Sequence, residues 1–136
     1  MRITIYGLLI LFSLGSCEKA IENKQEEAVL DAITSGYWIV TKYTKGATDA
    51  TSLFNTYKFQ FKKNNTVDAL KNQTFERTGQ WEANAAQKTI NANFANVSTP
   101  LSLLNGTWTI TNSTWTSVDA SQTIDGEKCR LLLNKE

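Results

Sequence analysis

The sequence predicts an all-β chain: about eight antiparallel strands in up-and-down order, closed into a barrel and preceded by one short helix. Three observations carry this. From Gly36 onward, apolar and polar residues alternate in one segment after another, the period of a strand with one buried face. Short polar turns such as "KKNNT" and "IDGEK" separate neighbouring segments, which favours sequential hairpins over crossovers. A twisted meander with one apolar face buries that face and loses its edges by closing on itself.

The strands are expected at 37–45, 54–62, 66–71, 74–84, 88–95, 106–112, 114–120 and 127–134. In "TYKFQFKK", Tyr57, Phe59 and Phe61 share one face and Lys58, Gln60 and Lys62 the other. "TFERTGQWEA" groups Phe75, Arg77, Gly79 and Trp81, with Glu76 and Glu82 on the opposite, solvated side. Ile90, Ala92 and Phe94 continue the apolar stripe, followed by Trp108 with Ile110 and by Cys129 with Leu131 and Leu133. Cys129 is therefore expected as a small buried apolar residue. "NVSTPLSLLNG" interrupts the rhythm. It reads as a loop or single helical turn that plugs one barrel end with Leu101, Leu103 and Leu104.

Before Gly36 the texture differs. Arg2 precedes an apolar run from Ile3 to Leu14, long enough for a signal-peptide core but short of the roughly 20 residues that span a bilayer. Residues 1–16 are expected to be a signal peptide, and 17–33 a polar tether with a short helix. The barrel is expected over 34–136. Ala28, Val29, Ala32 and Ile33 give the helix its apolar face, and Gly36 stops it.

Composition narrows the chemistry. The chain has 14 basic and 13 acidic residues and no histidine. Arg2 is the only charged residue within 1–16, so the remainder carries 13 of each sign. No basic patch favours nucleic acid. Lack of histidine removes the commonest general base and the commonest metal ligand, and the carboxylates are scattered. "DGE" at 125–127 lacks the oxygen spacing of a calcium loop. A non-enzymatic monomer with no cofactor and no metal is expected.

"LGSC", from Leu14 to Cys17, resembles the lipobox of bacterial lipoproteins. The resemblance implies cleavage before Cys17 and lipidation of its thiol and new amino group. It implies a membrane anchor in the bacterial envelope, as an outer-membrane lipoprotein facing the periplasm or the cell surface. With Cys17 acylated, Cys129 has no disulfide partner.

"GYW" at 36–38 resembles the Gly-x-Trp start of lipocalins. The succession "GYWIVTKYTKGATDATSLFNTYKFQFKKNNT", "TGQWEA", "LLNGTWTIT" and "CRLLLNKE" is similar to the small lipocalin-like lipoproteins of Bacteroidetes. The resemblance places Trp38 at the closed base of the barrel with a basic residue packed across it, Arg77 or Arg130. It implies that the barrel binds a small apolar or amphipathic ligand. The candidate lining is Tyr57, Phe59, Phe61, Phe75, Arg77, Trp81, Phe94 and Trp108. Arg77 has two readings: it holds the ligand's carboxylate or phosphate, or it packs on an indole or pairs with an acid. The aromatic stripe also has two readings. Either it lines a cavity, or it fills an eight-stranded barrel and leaves an interaction or inhibitor module whose partner is an envelope protein.

Overall fold

A computed structural model describes residues 27–136. The expected signal peptide, Cys17 and most of the expected tether lie outside the described residues. Helix α1 covers residues 27–34, and the chain turns at Gly36, whose φ is +70°. Residues from Ala32 onward form one compact unit.

Nine strands follow: β1 Trp38–Lys45, β2 Thr48–Asp49, β3 Tyr57–Phe61, β4 Thr66–Lys71, β5 Thr74–Asn84, β6 Thr89–Asn93, β7 Gly106–Ser113, β8 Ser117–Ile124 and β9 Glu127–Lys135. β2 is a two-residue ribbon on β1. The other eight run antiparallel in chain order from β3 to β9, and β1 pairs with both β3 and β9 to close the barrel. The closure is uneven. β1 and β9 share a ladder from Trp38↔Lys135 to Lys45↔Cys129, whereas β1 meets β3 at Trp38↔Phe59 alone.

The strand registers sort the connections between two ends. The lower end, where the chain enters at Trp38, carries the turns around 62–65, 85–88 and 114–116. The upper end carries the turns at 72–73 and 125–126 and two 3-10 turns, Thr51–Phe54 and Leu101–Leu104. Asp125 and Gly126 adopt φ of +52° and +77°, the paired left-handed conformation a two-residue hairpin needs for matching strand twist.

Most expected strands form within a few residues of their expected limits. The second starts late because Thr51–Phe54 winds into a 3-10 turn that buries Phe54. The strand expected at 114–120 forms at Ser117–Ile124 instead. Thr114 and Ser117 close a tight turn there through Thr114 N–H to Ser117 C=O at 2.8 Å and hydroxyl to hydroxyl at 2.7 Å. Side-chain hydroxyls thus make a turn that glycine or proline would have flagged.

The core is one cluster running through the barrel. Trp38, Tyr43, Phe54, Phe59, Val67, Trp81, Phe94, Leu101, Trp108, Cys129 and Leu131 are all buried in it. Each of three buried indoles donates its N–H to a backbone carbonyl: Trp38 to Ile33 at 2.9 Å, Trp81 to Lys62 at 2.9 Å and Trp108 to Leu104 at 2.8 Å. Each ring thereby buries its apolar body without stranding its donor. Leu101 and Leu104 are buried and Leu103 packs beside them, so the second 3-10 turn plugs the upper end as expected.

Candidate functional site

The barrel interior is the candidate binding site. It holds a partly open void of about 50 Å³, lined on one side by Phe59, Phe61, Val67, Ile90, Ala92 and Phe94. Leu104, Trp108, Val118, Ala120, Leu131 and Leu133 complete the wall. Every lining side chain is hydrocarbon or aromatic. A benzene-sized guest occupies an apolar cavity of roughly 150 Å³. The space here is about a third of that, a packing void, and no lining group binds a polar head.

Four of the eight candidate residues, Phe59, Phe61, Phe94 and Trp108, line this void. Trp81 is buried beside it, its ring edge-on to Phe61 at 5.4 Å. Tyr57 stacks on Phe59 at 6.1 Å but stands outside the wall. Burial, reinforced by the Glu76 carboxylate, pushes the Tyr57 phenol up to about 12.

Phe75 and Arg77 are corrections to the expected lining. Both are exposed, Phe75 by 58%. A register shift between Ala69 and Leu70 pairs Leu70 with Phe75 but Ala69 with Arg77, the signature of a bulge that breaks alternation. β6 joins β5 only from Gln80 onward. Residues 74–79 therefore have a strand on one side only, and nothing on the other flank closes over Arg77. Gly79 marks where the wall resumes. A Cβ there would stand 2.7 Å from the Phe94 ring and 2.8 Å from the Asn93 carbonyl. Only glycine lets Phe94 press against this strand.

Trp38 is buried at the lower end, where the chain enters the barrel, and neither Arg77 nor Arg130 packs on it. Lys135 does, with its ammonium 5.4 Å from the indole centroid. Arg130 instead grips Asp119 on the outer wall through two bonds of 3.2 and 2.8 Å, and its guanidinium holds the Asp119 carboxyl below the usual carboxylate range. Asp68 is lowered likewise, chiefly by Lys62 at 2.7 Å.

At the upper end, Tyr43 ties the barrel to its plug. Its ring packs on Phe54 at 5.4 Å and Trp108 at 6.1 Å, and its hydroxyl donates to the Leu103 carbonyl at 2.8 Å. Burial, with Cys129 beside it, raises the Tyr43 phenol well above its ordinary value. Cys129 is fully buried as a free thiol.

Part of the remaining lining is legible in the alternation of the sequence. Ile90, Ala92, Leu131 and Leu133 lie on the expected apolar stripes. Val118 and Ala120 were obscured by the displaced turn at 114–116.

Outside the barrel, an open groove of about 340 Å³ lies between the 64–65 turn and β5–β6. Carboxamides of Asn64, Gln80, Asn91 and Asn93 line it with Glu82. Among the described residues, no group of three or more histidines, cysteines, aspartates or glutamates is placed to hold a metal.

No family model and no curated protein matches the chain. Two solved structures resemble its fold. A DUF4847 family protein from Bacteroides vulgatus ATCC 8482 superposes with a TM-score of 0.56 at 15% identity, covering 79% of this chain and 97% of that one. An uncharacterized protein from Bacteroides eggerthii DSM 20697 gives 0.51 at 11% identity, covering 76% and 99%. At these identities the likeness concerns the fold alone, which in this chain is a closed eight-stranded antiparallel barrel.

Proposed function

We propose that this protein is a lipid-anchored, non-enzymatic interaction module of the bacterial envelope, whose barrel is a filled scaffold presenting its outer surface to a protein partner. One observation carries the choice over a small-molecule carrier: the interior void is about 50 Å³ and wholly apolar. An amphipathic ligand needs several times that volume and a partner for its head group. Arg77, the one basic candidate for that task, stands outside. The "LGSC" stretch supports the anchor, and the lack of histidine weighs against catalysis. The outer wall is rich in amides and hydroxyls around the Asn64–Asn93 groove, a surface suited to polar contacts with another protein.

Titration with a fluorescent fatty-acid analogue tests the choice. The expected result is no saturable uptake at micromolar concentration. One-to-one uptake that Ala92→Phe abolishes would restore the carrier reading, because Ala92 lines the void and the outer surface would be unchanged.

A further inference from the structure

We propose that the lower end of the barrel carries a phospholipid-surface contact centred on Trp115. Of the four tryptophans, Trp38, Trp81 and Trp108 are buried, whereas Trp115 is 64% exposed at the tip of the β7–β8 turn. The turn that displays it is closed by hydrogen bonds. Thr114 N–H bonds to Ser117 C=O, Thr116 N–H to the Thr114 hydroxyl, and Lys135 N–H to Thr116 C=O at 2.9 Å. An indole held outward on a braced hairpin suits the amphipathic zone of a membrane surface, where the ring is buried and the N–H stays wet.

Two further observations choose this occupant. The chain enters the barrel at this same end: Ile33 accepts the Trp38 indole and Ser35 meets the Lys135 ammonium. An anchor at Cys17 would thus draw this end, and not the plugged upper end, toward the bilayer. The same end carries Lys62, Lys63 and Lys88, with Lys62 paired to Asp68 at 2.7 Å and Lys58 paired to Glu136 at 3.2 Å. Partly exposed Phe61, Ile90, Ile110 and Leu133 form the apolar rim behind them. The contact orients the barrel so that its upper end faces away from the lipid.

This inference takes the side of the membrane from the proposed anchor. The experiment therefore omits the anchor, so that failure of acylation and failure of this contact are separate outcomes. A chain beginning at Glu18 keeps all described residues, including the compact unit from Ala32. It is mixed with phosphatidylethanolamine vesicles, with or without phosphatidylglycerol, and tryptophan emission and co-sedimentation are recorded. The expected result is a blue shift and quenching by brominated acyl chains, with or without phosphatidylglycerol. Trp115→Phe loses the spectral change and binds roughly tenfold more weakly, with its three buried indoles reporting an intact fold. Phe75→Ser, at the opposite end, binds as the parent does. Unchanged emission with every vesicle, or equal sedimentation of Trp115→Phe, would overturn the proposal.

Discussion

The Lys135 ammonium lies 5.4 Å from the centroid of the Trp38 indole, and these two residues are register partners across the β1–β9 closure. The indole also donates to Ile33 C=O, so one side chain joins the first strand, the last strand and the segment entering the barrel. Trp38→Phe should cost about 2–3 kcal/mol, through lost volume and a carbonyl left without its donor. Lys135→Met keeps the aliphatic stem and should cost only about 0.5–1 kcal/mol. Urea midpoints of the two variants check the ranking, and an equal cost would remove the indole from the centre of the lower end.

Gly79 is fixed by contact and not by a turn. Its ideal Cβ would meet backbone oxygen at 2.8 Å as well as the Phe94 ring, and the backbone oxygen cannot rotate away. Gly79→Ala should destabilise by about 1–3 kcal/mol, although alanine usually improves a strand over glycine. Thermal unfolding of Gly79→Ala, alone and with Phe94→Leu, tests this. The smaller side chain should recover part of the loss.

Tyr43 holds the upper plug through one hydroxyl. Tyr43→Phe should cost about 1 kcal/mol, since it removes a single part-buried hydrogen bond while keeping the ring. The effect should be local. Hydrogen exchange at Leu103, Leu104 and Asn105 should quicken, while amides of the β8–β9 ladder stay protected.

Two pH limits follow from the shifted groups. The Tyr57 phenol rises from 10.0 to about 12 on folding, and Tyr43 rises further. A raised folded-state value means that stability is fully present below the unfolded value and falls as pH climbs through the folded one. Urea midpoints should therefore decline above about pH 10, and Tyr57→Phe should shallow that decline. At the acid end, Asp68 and Asp119 are lowered by Lys62 and Arg130. Their contribution is present above the ordinary value of 3.8 and is lost as pH falls through the folded values. Asp119→Asn should flatten the acid limb without moving the alkaline one.

Much of the fold was legible because strand period and turn chemistry are local. Tyr57 and Phe59 alternate with Lys58 and Gln60 whatever the rest of the chain does, and "DG" specifies its hairpin unaided. Three features escaped because they depend on distant partners. Parity put Arg77 on the inner face, but parity does not reveal that β6 stops short of covering it. Lys135 meets Trp38 only through the register at which the barrel closes. The turn at 114–116 is made by Thr114 and Ser117 hydroxyls, residues equally at home in strands. The candidate site followed the same division: the aromatic stripe was visible in the sequence, whereas the tightness of its packing depends on how eight strands converge.

The central claim is that the barrel is filled. Native mass spectrometry of the protein purified without detergent tests it most directly, before and after incubation with fatty acids and an envelope lipid extract. The account predicts the mass of the bare polypeptide in both spectra. A stoichiometric small molecule retained in either would contradict it, and would require the wall around Ala92 and Ala120 to open beyond the void of about 50 Å³ that the structure holds.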